Sequence, residues 1–418
     1  MTGDIDDHGE KITLKTTTVE KKIINTDIWV IVLLGCAFFS AVSVNYVISP
    51  ILPEIAESFQ ISVSTAASLV SIYGAVYGCS AVLFGPIADF LPRKKMMNIS
   101  LLSFSVAILL CGLSQSFIVL KLFRAFSALA AAAMQPVTWA YLADYFPYNK
   151  RGTASGWVMQ AGSMALLLGV PIGGIVTQFL SWRVLIITQS IFPLIVIVLI
   201  NLKLPDVERH SKRCFTYREI AYQTKNLVFK DLFTNKTVLV TYLVSFLIWT
   251  SFFSSYTFLG TFLKDTYNMK SATVGITSIC LGIGYVVGGQ VSGRVSDKIG
   301  RKKVILMGLF FLTPVLGMLF FTKNIYLTAL LIFFAGCGYF FSYTPQVTFV
   351  TELVPKARSS VVSVNYFVTY LGLTFGSAIA SLLYKNFGLK YISLFSATIC
   401  IIATLVMLKN KMELPMKT

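Results

Sequence analysis

Twelve long apolar runs divide this chain, and they exclude most folds before any motif is considered. They fall near 28–50, 65–88, 97–114, 118–142, 153–178, 184–203, 237–262, 272–293, 303–322, 326–349, 359–383 and 388–408. A helix needs about 20 predominantly apolar residues to cross the hydrocarbon of a bilayer, and a soluble core has no use for twelve such segments. Composition agrees: 56% of residues are hydrophobic and 13% charged, against about 25% charged in a soluble domain. Backbone polar groups in lipid must be satisfied internally, so the runs are expected as α-helices. The expected class is an all-α membrane protein with twelve transmembrane helices. Seven cysteines lie mostly inside the runs without metal-ligand spacing, and they read as packing residues rather than a disulfide framework.

Charge placement gives the expected orientation. The segments are a tail at 1–27, a first helical block at 28–203, a linker at 204–236, a second block at 237–408 and a short tail at 409–418. With the amino terminus on one side, about 27 Lys and Arg share that side and about six lie opposite; short basic loops stay cytoplasmic. Both tails are therefore expected in the cytoplasm, in a plasma or bacterial inner membrane, and the polar amino-terminal tail reads as uncleaved. The net charge of +17 would suggest nucleic acid in a soluble protein. Here the spans cut it into short pieces, so no nucleic-acid partner is expected.

The chain also repeats itself. A shift of 208 residues lays Gly85-Pro-Ile-Ala-Asp89-Phe-Leu-Pro-Arg93-Lys94-Lys95 on Gly293-Arg-Val-Ser-Asp297-Lys-Ile-Gly-Arg301-Lys302-Lys303 and carries Asp144 onto Glu352. Each loop follows the second span of its block. The reading is two six-helix bundles in the same orientation, related by pseudo-symmetry, an arrangement known among secondary transporters.

These residues resemble the loop motif of the major facilitator superfamily, Gly-x-x-x-Asp-x-x-Gly-Arg-Lys/Arg-Lys. The second copy fits fully, and the first departs at Phe90 and Pro92. The resemblance runs from about Asp27 to Lys409 and implies two halves that rock about a central cavity lined by helices 1, 2, 4, 5, 7, 8, 10 and 11. It also implies that Gly85, Asp89, Arg93, Lys94 and Asp144, with Gly293, Asp297, Arg301 and Glu352, form a gate that latches the cytoplasmic side. The alternative is that the basic residues only enforce topology. In the fifth span, Gly169-Val-Pro171-Ile-Gly173-Gly174 is similar to a motif of exporter branches, in the Gly-Val-Pro form of sugar- and nucleoside-efflux relatives. It reads equally as a small-residue packing seam.

None of the eighteen carboxylates and neither histidine falls near the middle of a span. An intramembrane enzyme or metal centre needs such groups at depth, so no enzyme, cofactor or metal is expected. Drug:proton antiporters commonly hold a protonatable carboxylate in the first helix or its neighbours, and the first helix here offers Asn45 instead; a proton-carrying group would have to be peripheral, such as Asp89, Asp144 or Glu54, or the substrate itself. One charge does lie at depth. Arg124 follows the start of the fourth span by about seven residues, roughly 10 Å along the axis. It either faces the cavity, where it favours an anionic or zwitterionic ligand, or snorkels outward beside Lys121. Gln135 lies on nearly the same face. Gln160, Trp249, Tyr256, Tyr343 and Asn365 add amide and aromatic groups suited to a medium-sized organic solute.

The function expected is alternating-access transport of a small organic solute by a monomer, in the drug:proton antiporter and metabolite-efflux branch, with export favoured and protons as a candidate partner. The alternatives are an importer or facilitator of an organic anion or amino acid, and a transport-inactive sensor or scaffold.

Overall fold

The computed structural model describes residues 9–88, 92–207, 236–353 and 358–409. Among the described residues are twelve helices long and apolar enough to span a bilayer: α1 Asp27–Ser58, α2 Val63–Phe84, α3 Arg93–Leu113, α4 Phe117–Tyr145, α5 Ala154–Phe179, α6 Trp182–Lys203, α7 Lys236–Tyr267, α8 Ser271–Ile299, α9 Arg301–Leu319, α10 Ile325–Leu353, α11 Val361–Phe387 and α12 Leu389–Lys409. The class is therefore the expected one, all-α in two six-helix bundles. The six described cysteines are free thiols, and Cys214 lies outside the described residues.

Local chemistry sets the helix ends. Side chains cap the starts of α2, α4, α6 and α10: Ser62 accepts from Thr65 N–H, Ser116 from Val119 N–H, Ser181 from Val184 N–H and Asn324 from Tyr326 N–H. Each cap satisfies a donor the helix leaves open. Gly300 and Gly388 end α8 and α11 at φ of 93° and 90°, a left-handed turn that side chains resist. In α1 and α5 the helix changes geometry beside a proline. α1 turns through a 3₁₀ segment at Ser49–Ile51 around Pro50, and α5 widens to a π-helical turn at Ala165–Gly169 just ahead of Pro171. Proline lacks the N–H that would continue the α ladder, and the wider turn accommodates the break.

Packing repeats between halves. In the first half α1 packs on α5 and α6, α4 on α2 and α3, and α3 on α6; in the second α7 packs on α11 and α12, α10 on α8 and α9, and α9 on α12. Adding six to each helix number in the first set produces the second. The bundles meet through α2 with α11 and α5 with α8, which are themselves related by the same rule. Lipid supplies no hydrophobic drive between helices, so close approach of backbones matters most. It is tightest between α8 and α10: Gly284 and Gly288 lie against the carbonyls of Phe333 and Cys337, and Gly336 against that of Leu281.

Candidate functional site

One end of the molecule, here the basic end, carries the Arg93 and Arg301 loops. Among the described residues, the hydrogen bonds that join the halves lie toward the other end. There Ser381 Oγ donates to Ser64 O at 2.7 Å, and Ser71 and Ser377 share a hydrogen bond of 2.8 Å between α2 and α11. Gly174 of α5 presses on the backbone of Ser271 and Gly275 in α8, and Gly260 of α7 on that of Pro50 in α1. Toward the basic end the partnerships change. Arg93–Asp144, Lys94–Asp206 and Lys150–Asp27 are pairs within the first half, and Arg301–Asp297 and Arg301–Glu352 within the second. Around Gly293 nothing lies within reach of an added Cβ.

At mid-depth the halves also meet through aromatic rings. Tyr46 of α1 bonds through its hydroxyl to that of Tyr285 in α8 at 2.8 Å, and Tyr256 of α7 donates to Tyr46 O at 2.8 Å. Tyr77 of α2 stacks on Tyr370 of α11 at 3.7 Å between centroids, and Trp249 lies 5.7 Å from Tyr370 and 5.5 Å from Tyr343. Of the residues expected to meet a ligand, Trp249, Tyr256 and Tyr343 therefore belong to one cluster. Tyr46, Tyr77, Tyr285, Tyr339 and Tyr370 join it, together with Phe252 and Phe253, and no sequence motif marks the five tyrosines. Their only signal in the sequence is a hydroxyl-bearing ring inside an apolar run, a pattern shared with ordinary packing positions and interfacial anchors.

The structure places Arg124 inside the first bundle, 1% exposed, so it does not snorkel. Its guanidinium covers the Tyr73 ring at 4.1 Å, and Nη2 donates to Asn45 Oδ1 at 3.4 Å. Nε and Nη1 have no hydrogen-bond partner among the described residues. A cavity of about 10 Å³ beside it is lined by Val44, Ile48, Leu69, Cys111, Leu120 and Trp182, among other residues of the first half. Such a space holds about one water. Arg124 and Asn45 thus come together, but behind the seam; Tyr73 is the link, its ring 6.0 Å from that of Tyr77. Gln135 accepts from Tyr77 OH and so supports the stacked tyrosine from α4.

Asn365 lies apart, in a buried node nearer the basic end. Its Oδ1 accepts from Ser245 Oγ at 2.8 Å and from Gln346 Nε2 at 3.3 Å, which ties α7, α10 and α11 together. Gln160 is half-buried on α5. Among the described residues, no group of three His, Cys, Asp or Glu could hold a metal ion.

The repeated loops share one geometry. Arg93 Nε donates to Asp144 at 2.9 Å, and Arg301 Nη2 to Glu352 at 3.2 Å, and the 208-residue shift maps one pair onto the other. Lys94 instead reaches the carbonyls of Leu204 at 3.0 Å and Asn201 at 3.4 Å, binding the open carbonyls that end α6. Asp89 lies outside the described residues, as does the packing around Gly85. In α5, Gly169 packs on Ser43 and Gly173 on Val47 of α1, while Pro171 and Gly174 meet α8 at Gly275 and Ser271. The motif therefore lets α5 lie closely between one helix of each half.

The family model for the Major Facilitator Superfamily matches residues 33–283 and 241–415. The chain belongs to that superfamily. It is 29% identical over 365 residues to the MFS-type transporter YwfA of Bacillus subtilis, covering 87% of each. It is 24% identical over 356 residues to the "Probable sugar efflux transporter" of Helicobacter pylori strain ATCC 700392 / 26695, covering 84% of this chain and 88% of the relative. Among solved structures, a D-xylose-proton symporter superposes with a TM-score of 0.73 at 18% identity, over 92% of this chain and 97% of that one. This superfamily member is a multi-pass membrane transporter, and the repeated loops lie between its second and third and its eighth and ninth helices.

Proposed function

We propose that this transporter exports a small organic solute by alternating access, and that the structure captures it open toward the cytoplasm. The observation that carries this reading is the one-sided seam: the halves bond at the end away from the basic loops, while the ion pairs named at the basic end stay within a half. Basic loops remain cytoplasmic, so the sealed end faces outward and both chain ends face inward, in the plasma or bacterial inner membrane. An exporter must receive its solute in this state.

The aromatic cluster supports a solute with a flat or apolar body. The sparsely bonded Arg124, reached through Asn45 and Tyr73, supports a negative or zwitterionic end, because no carboxylate among the described residues pairs with it. The named sugar-efflux relative supports the outward direction. Protons are the proposed coupling partner, carried at peripheral carboxylates or on the solute. The carrier works as a monomer without cofactor or metal. That same uncompensated charge also suits an importer of an organic anion.

Thermal-shift screening of the purified protein against metabolites and drugs should first identify a stabilising compound. Cells expressing the protein should then accumulate less of it than control cells, and dissipating the proton gradient should remove the difference. Higher accumulation would establish import instead.

A further inference from the structure

At the sealed end the halves share a polar clasp in addition to the seam. Glu54 lies on the short helix Leu52–Ser58 that follows the Pro50 turn. Its Oε1 accepts from both Lys264 Nζ, at the end of α7, and Ser271 Oγ, the first residue of α8. Lys264 Nζ also donates to Ser271 Oγ at 3.1 Å. From α5, Gln178 Oε1 accepts from the backbone N–H of Ala272 at 3.1 Å, satisfying an open donor at the start of α8. Two side chains of the first half thus grip the α7–α8 turn of the second.

This pair differs from a solvated surface ion pair, which contributes little. The Lys264 and Glu54 side chains keep 16% and 20% exposure, and Glu54 Oε2 is buried without a hydrogen-bond partner among the described residues. Lys264 is the charged group that faces Glu54 across the halves. Nearby Asp265 is exposed and accepts from Tyr384 instead, and Glu57 and Lys270 are exposed. Among the ion pairs named above and this one, only Glu54–Lys264 joins the two halves. The halves cannot separate at this end without breaking it.

We propose that Glu54, Lys264 and Ser271 form the outer latch that holds the carrier open to the cytoplasm. This rests on the orientation and alternating access argued above. Two states of a carrier differ by a few kcal/mol at most, so losing a latch bond present in only one of them shifts their populations. Neutralising either charge should raise the outward-open fraction about tenfold, the change equivalent to about 1.4 kcal/mol.

The test uses full-length, cysteine-depleted protein in intact cells and in inverted vesicles, labelled with a membrane-impermeant maleimide. Ser377→Cys reports the sealed seam, where the residue is fully buried, and Gly293→Cys reports the basic end. In cells, Glu54→Gln and Lys264→Met should each speed Ser377→Cys labelling about tenfold. In inverted vesicles each should slow Gly293→Cys labelling, and the exchanged pair Glu54→Lys with Lys264→Glu should restore the parental rates. Parental labelling in both single variants would overturn the latch, and so would faster labelling of both reporters, which marks loosening without a change of state. Labelling of Gly293→Cys from outside intact cells would overturn the orientation rather than the clasp.

Discussion

Arg124→Ala is expected to bring transport close to background while the protein remains folded in the membrane. Arg124 is 1% exposed, two of its guanidinium nitrogens have no hydrogen-bond partner among the described residues, and the group reaches Asn45 Oδ1 and the face of Tyr73. A charge at this depth costs about 2.5–3.5 kcal/mol on insertion scales, so as a packing element alone it is a liability. A hydrogen bond to a charged group contributes about 1.5–3 kcal/mol, or about 10- to 150-fold in a bound or transition state. Transport should fall by at least that factor. Arg124→Met, which fills the volume without the charge, should fall equally while its melting temperature equals or exceeds the parent's. Normal transport by either variant would remove Arg124 from the ligand path. A lower melting temperature in Arg124→Met with unchanged transport would make the arginine structural.

Gly288→Val should prevent the second bundle from packing. An added Cβ at Gly288 would run into the Cys337 backbone, and one at Gly284 into that of Phe333. Backbone cannot move aside as a flexible side chain can, so α8 and α10 must separate along several turns. Overpacking costs about 1–3 kcal/mol even where side chains can yield, and here the cost should be about 3 kcal/mol or more. The variant should show little monodisperse protein after detergent extraction. The same substitution at Gly293, where nothing lies within reach, should extract normally. Equal yields from both would refute the tight α8–α10 contact.

Gly284-Tyr-Val-Val-Gly288 is a small-xxx-small pattern of the kind that marks close helix pairs in lipid, so this contact was detectable from spacing, though its partner was not. The loop pairs follow the same rule. The 208-residue shift puts Arg93 and Asp144 in correspondence with Arg301 and Glu352, and the bonds of each pair in the structure obey it. Lys94 belongs to the same motif but is spent on the carbonyls ending α6, a partner that no local pattern announces.

Twelve spans, their parallel duplication and the expected sidedness follow from apolar run length, loop charge and internal repetition, because a bilayer imposes those constraints one segment at a time. The meeting of Tyr46 with Tyr256 and Tyr285, the stacking of Tyr77 on Tyr370, the place of Arg124 behind the seam and the Glu54–Lys264 bond depend on how two bundles rotate against each other. Those contacts join residues up to 293 positions apart, and helical periodicity sets which face of a helix is polar without setting which neighbour that face meets.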